Sequence, residues 1–205
     1  MSYNKRSFPP VFLKIAKVGV PVLRRKAKTV TNIRQRQFQD LIRNMMTTLK
    51  DVEGLGLAAP QVYQSWRIFI FSSFPSPFYP QAQNIKPTVV VNPKIISRSH
   101  LRISGWEGCL SLPGIRGKIS RSEKIEVEYL NQNGKKIYQL LNGLAARVFQ
   151  HEYDHLEGII FTDRLESMKD IISEEEYQKL AKKPVLIKNT VTTIRNRHIA
   201  DIKKS

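Results

Sequence analysis

The chain has 205 residues, 41% hydrophobic and 9% aromatic, which suits one globular domain with a sizeable core. No run approaches the roughly 18 consecutive apolar residues of a membrane span, and MSYNKRSFPPVFLKI at the start lacks the apolar centre of a signal peptide. The net charge of +17 gathers at the ends: residues 1–39 hold ten Lys/Arg and no acid, and residues 182–205 hold seven against Asp201 alone. Such charge favours polyanions such as RNA, although no interleaved aromatics offer a base-stacking platform. The single cysteine, Cys109, excludes an intramolecular disulfide and fits a reducing compartment.

In chain order, TNIRQRQFQDLIRNMMTTLKDVEG predicts a helix capped by Thr31 or Asn32 and stopped by Gly54, with apolar residues from Phe38 to Leu49 at helical spacing. GLGLAAPQV reads as a glycine-rich turn and WRIFIFSS as a strand. Residues 74–87, with Pro75, Pro77, Pro80 and Pro87, read as a surface loop, and TVVVNPKII as another strand. KIEVEYLNQNGKKIYQLL alternates around Asn133-Gly134, a hairpin signal. GLAARVFQHEYDHL predicts a helix opening after Gly143, and GIIFTDRL a short strand running into a turn. A last helix begins at Ser173, with Glu176 reaching back to complete a capping box. The expected fold class is α+β: antiparallel β-sheets packed around a central metal-binding helix, with an N-terminal helix and a C-terminal helix and tail.

The chemistry concentrates in QHEYDHLEG. His151 and His155 lie four apart, on one face of a helix, and can offer ring nitrogens to one cation at about 2.0–2.1 Å. Glu152 projects about 100° further round, where it can serve as general base at the open side of the metal. A solvated, charged helix face is the competing reading, and Phe149 and Leu156 oppose it by marking the helix as buried.

Two imidazoles need a third ligand. In H-E-x-x-H-x-x-G-x-x-H peptidases it is a histidine; here Gly158 is present but Phe161 stands at the final position and cannot ligate. Another peptidase class takes a downstream glutamate, for which Glu174, Glu175 and Glu176 are candidates, although acids in a first helical turn are expected for the macrodipole. Cys109, in GWEGCLSLPG, is the third candidate; a thiolate with two imidazoles suits Fe²⁺, Zn²⁺ or Co²⁺.

Three segments in order resemble the peptide deformylase family: GLGLAAPQ (Gly54–Gln61), EGCLS (Glu107–Ser111) and HEYDH (His151–His155), against G-x-G-x-A-A-x-Q, E-G-C-x-S and H-E-x-x-H. The similarity runs from about Leu13 to Leu165, including PVLRRKAKTV and EGIIFTDRL. It implies a short extension at residues 1–11, a catalytic domain at 12–170, and a C-terminal helix and basic tail at 171–205. So short an extension leaves no room for a transit peptide, which implies a bacterial cytoplasmic enzyme.

The resemblance makes Cys109, His151 and His155 the metal ligands, with water as the fourth, and Glu152 the general base and acid. It assigns Gln61 and the Leu110 N–H to the oxyanion, and places the Gly56 backbone against the substrate. The implied reaction removes the formyl group from the N-terminal formyl-methionine of new polypeptides, using one divalent metal ion: Fe²⁺ in the cell, with Zn²⁺, Ni²⁺ or Co²⁺ as substitutes. Leu144 and Val148 are placed beside the methionine pocket, with Leu55 and Gly105 flanking it, Trp106 at its rim, and Glu107 paired with Arg121. Partners implied are formyl-methionyl nascent polypeptides and, through the basic tail, the ribosome near its exit tunnel, with neither membrane nor DNA. Two other readings compete: a zinc endopeptidase ligated by one of Glu174–Glu176, and a basic RNA-binding protein with a structural metal.

Overall fold

Strand β2 (Ile68–Ser73) is buried along its whole length, and its six residues explain the layering. Ile68 and Ile70 face one side and pack with Val89, Val91 and helix α1 (Arg36–Asp51). Phe69 and Phe71 face the other side and pack with helix α2 (Gly143–Leu156). A strand covered on both faces needs an unbroken apolar run instead of alternation, which is what IFIF supplies. These positions come from a computed structural model that describes residues 9–76 and 78–182.

Five antiparallel strands form the larger sheet in the order β1-β2-β3-β6-β7, where β1 is Gly56–Ala58, β3 Ile85–Arg98, β6 Lys124–Leu130 and β7 Lys136–Asn142. A second sheet has the order β4-β5-β8, with β4 Arg102–Cys109, β5 Leu112–Ser122 and β8 Ile171–Ser173. Helix α2 lies against strands of both sheets, so the fold is the expected α+β arrangement around one central helix. Phe149 anchors that helix, with its ring 4.9 Å from Phe69 and 5.4 Å from Phe71, both edge to face.

Several local expectations change. Helix α1 begins at Arg36, because the Asn32 side chain accepts the Arg34 N–H and closes a turn of its own. It ends through a left-handed residue at Glu53, not at Gly54. GLGLAAPQV is not only a turn: Gly56–Ala58 pairs with β2, and Ala59–Val62 forms a 3-10 turn. GIIFTDRL is not a strand; Asp163 accepts the Ile160 N–H at 2.9 Å and winds Phe161–Arg164 into another 3-10 turn. Helix α3 (Glu174–Lys182) is capped by Ser173 accepting from the Glu176 N–H, while the Glu176 carboxylate takes Lys179 instead of reaching back.

Gly158 ends the metal helix for two reasons. Its φ of +74° is left-handed, and a Cβ there would stand 2.8 Å from the backbone of Arg24. The Gly158 and Ile159 N–H groups return to the His155 and Asp154 carbonyls, a Schellman closure. The N-terminal stretch then straps the site's parts together: Ala27 N–H donates to Leu156, Val18 to Ser111 and Ala16 to Gln61.

Candidate metal centre and active site

Helix α2 carries His151 and His155 one turn apart, with their rings 5.0 Å from each other. Cys109 ends β4 at a register shift, immediately before the Leu110–Ser111 turn into β5. That irregularity carries the thiol out of the ladder, to 3.3 Å from His155 Nε2. Ligand atoms of all three residues lie within 4.8 Å of one another. Ligands around one tetrahedral ion stand about 3.4–3.8 Å apart, so this donor set fits a single divalent metal. Among the described residues it is the only such cluster of three or more His, Cys, Asp or Glu.

The charges around the cluster are fixed. Burial would raise the Cys109 thiol, but His155 and His151 beside it hold it well below its ordinary value, favouring thiolate. His151 Nδ1 meets Glu107 at 2.9 Å, which leaves Nε2 for the cluster side and sets the ring's orientation. Burial would likewise raise Glu107, yet the His151 hydrogen bond and the Arg121 charge hold it well below the carboxylate range. Arg121 grips Glu107 through two bonds of 3.0 Å, and Arg147 adds a third at 2.8 Å. Phe161, which cannot ligate, stacks near the His151 ring, its centroid 6.4 Å away.

Glu152 has a different environment. Burial pushes its carboxyl up to about 7, against the pull of His151 and His155. Its Oε2 is buried with no hydrogen-bond partner among the described residues, so it stands ready for a proton or a water. Gln61 is oriented by the backbone three residues before it: its side-chain Oε1 accepts the Ala58 N–H at 2.8 Å, leaving Nε2 to point at Ser111 Oγ and Cys109 Sγ, 3.3 and 3.5 Å away.

The cluster opens into a cavity of about 710 Å³ lined by Leu55, Gly56, Gln61, Leu110, Leu144 and Val148, with Trp106 also on its wall. Gly105 is not on that lining; it sits between the Arg147 guanidinium and the Tyr79 hydroxyl. Glu174, the peptidase candidate, is held by Arg116 at 2.7 and 3.0 Å, and Glu175 and Glu176 pair with Lys179, so none joins the cluster. The outer wall, absent from the sequence reading, is aromatic: Phe78 stacks on Tyr177 of α3 at 5.5 Å, and Arg116 lies 4.1 Å over the Tyr177 ring.

Sequence reasoning also passed over Arg147, Asp154 and Lys17. Asp154 takes Arg121 at 2.6 Å, and Lys17 Nζ donates to the Leu110 carbonyl at 2.8 Å. A signal for the first two was present: Arg147, Gln150 and Asp154 form a polar stripe on a helix otherwise apolar enough to be buried, and buried polar side chains need partners.

The sequence model of the polypeptide deformylase family matches residues 12–170. A curated relative, peptide deformylase 2 of Nostoc sp., is 48% identical over 174 residues, covering 85% of this chain and 97% of its own. The crystal structure of a class I type b peptide deformylase from Acinetobacter baumannii with bound Met-Ala-Ser superposes with a TM-score of 0.73 at 39% identity, covering 77% of this chain and all of that one. A peptide deformylase from Synechococcus elongatus in complex with actinonin superposes at 0.69 with 34% identity, covering 83% and 87%. With its Cys109–His151–His155 cluster at the head of an apolar cavity, the chain belongs to the polypeptide deformylase family.

Proposed function

We propose that this protein is a metal-dependent hydrolase that removes the formyl group from the N-terminal formyl-methionine of newly made polypeptides, releasing formate. The observation that carries it is the juxtaposition of a three-ligand cluster, an unpartnered buried carboxyl on Glu152 and an apolar cavity beside them. Cys109, His151 and His155 would hold the metal. A divalent cation in such a site polarises a carbonyl oxygen and acidifies water.

The chain's own residues do the rest. Glu152, whose buried Oε2 has no hydrogen-bond partner among the described residues, accepts the proton of the attacking water and returns it to the leaving amine as the C–N bond breaks. Gln61 Nε2 and the Leu110 N–H donate to the oxygen on which negative charge develops. Leu144 and Val148, on the cavity wall, give the methionine side chain an apolar seat, and Leu55 flanks it. The Met-Ala-Ser bound to the Acinetobacter relative is a peptide of the kind such a reaction leaves behind.

The finer assignments rest on the donor set and the family. Thiolate and imidazole suit Fe²⁺, with Zn²⁺, Ni²⁺ or Co²⁺ able to replace it; metal analysis after anaerobic purification tests this. The enzyme works in the bacterial cytoplasm on nascent chains, docked by its basic tail near the ribosomal exit tunnel. No helix among the described residues is long and apolar enough to cross a membrane. Residues 183–205 lie outside the described structure, so deletion of residues 185–205 is the test of that role: unchanged, salt-insensitive ribosome binding would dispose of it.

The activity itself is tested by formate release from formyl-Met-Ala, with Glu152→Ala as control. Formate from the natural chain and none from the variant is expected; equal traces from both would overturn the assignment. The endopeptidase reading is not favoured, since its glutamates are engaged elsewhere.

A further inference from the structure

On the side of the metal helix away from the substrate, the two sheets part around a second cavity of about 220 Å³. Arg98 of β3, Arg102 of β4, Arg121 of β5 and Arg164 of the 3-10 turn line it, against one carboxylate, Asp154. Asp154 is saturated: it accepts Arg121 at 2.6 Å and Arg164 at 2.7 and 3.1 Å. Arg121 also serves Glu107, deep behind the metal cluster.

The remaining positive charge has no counterpart. Arg102 donates only to Ser120, at 3.1 Å to its hydroxyl and 2.7 Å to its carbonyl. The Arg98 guanidinium has no hydrogen-bond or ion-pair partner among the described residues. Guanidinium groups gathered at one cavity repel one another unless an anion sits between them. Their planar forks match the several oxygens of a phosphate better than a carboxylate's two, and the Ser120 hydroxyl, which accepts Arg102 Nε, keeps its own proton to donate.

We propose that this cavity binds a phosphate-type oxyanion, either free or as part of a polynucleotide backbone. The site is separate from the substrate cavity, although Arg121 also reaches Glu107 behind the cluster. Helix α2 gives Leu144, Val148 and His151 to the substrate cavity and Gln150, Tyr153 and Asp154 to the arginine cavity, so an occupant leaves the substrate entrance open.

The test is calorimetric titration of the full-length, metal-loaded protein with inorganic phosphate and, separately, with a short RNA duplex. The double variant Arg98→Gln/Arg102→Gln is compared with Arg25→Gln/Lys135→Gln, which removes equal charge from other exposed positions. Arg98 and Arg102 are exposed, so folding is not at stake, and deformylation of a short peptide serves as the check that it is intact. The cavity variant is expected to weaken binding about tenfold or more, with the control within about twofold. Loss confined to inorganic phosphate assigns a free ligand. Loss of RNA affinity, with the salt slope reduced by about two, assigns a backbone phosphate. Phosphate and RNA binding that fail to distinguish the cavity variant from its control would overturn the proposal.

Discussion

Gly56 stands where even a methyl group would overlap the carboxylate of Glu152. The carboxylate is therefore seated against bare backbone, and strand β1 forms one wall of its socket. Gly56→Ala should displace that carboxylate and lower kcat on the order of 10²-fold, within the range general-base catalysis contributes. Its φ is not left-handed, so the backbone tolerates alanine, and the cost in stability should be limited to the overpacking against Glu152, about 1–3 kcal/mol. Formate release alongside a melting curve decides the matter; normal turnover would mean that Glu152 does not need its present position.

Gln61 spends its carbonyl on the Ala58 N–H and keeps its amide donors for the site. Gln61→Ala should reduce kcat by roughly 10²–10³ while KM changes less, as for loss of an oxyanion donor elsewhere. It should also cost about 1–3 kcal/mol of stability, because the buried Ala58 N–H loses its acceptor. Steady-state kinetics and denaturant unfolding read the two effects separately, and a change in KM alone would contradict the assigned role.

Glu107 supplies a pH prediction. Its folded pKa lies well below the ordinary 4.5, mainly because the His151 hydrogen bond and the Arg121 charge outweigh its burial. The stability it contributes is thus fully present above about pH 4.5 and is lost as pH falls toward its folded value. In metal-free protein, Glu107→Gln should flatten the loss of unfolding free energy between about pH 5 and 3. At neutral pH the same variant should lose about 3–5 kcal/mol, since it strips a buried partner from Arg121 and Arg147. An unchanged acid slope would show that the carboxylate does not supply this stability.

Phe149 fastens the metal helix to both aromatic residues of β2. Phe149→Ala should destabilise the fold by about 3–5 kcal/mol. It should also weaken metal retention, because His151 and His155 ride on the same helix. Denaturant unfolding measures the first effect and dialysis against a chelator the second; a loosened fold with metal held as before would separate helix anchoring from site geometry.

How much of this was legible in the sequence depends on where each signal resides. The metal helix and the β6–β7 hairpin could be read because their periodicity is local, and the ligand set followed from three short motifs. The β4–β5 hairpin was not read. Gly105, Gly108 and Gly117 interrupt its pattern, and Ile103 points to solvent, so neither alternation nor an apolar run marks it. Gly117 is small because Phe161 fills the space a Cβ would need, a constraint set 44 residues away and invisible locally. The family resemblance set Gly105 beside the pocket, whereas packing gives its space to Arg147 and Tyr79. The buried ion network of Arg121, Arg147, Glu107 and Asp154 depends on helix and hairpin meeting in space, and only the polar stripe on α2 hinted at it.

The strap formed by residues 16–27 sets an order of assembly. Its backbone donors find their acceptors at Gln61, Ser111 and Leu156, so it cannot dock until the turn, the hairpin and the helix are all in place. Contacts at such sequence separation form late, after local structure has offset the entropy of closing the intervening chain. This stretch, which precedes in the chain every element it ties together, is thus among the last to settle. Until it does, Lys17 cannot hold the Leu110 peptide beside the cysteine.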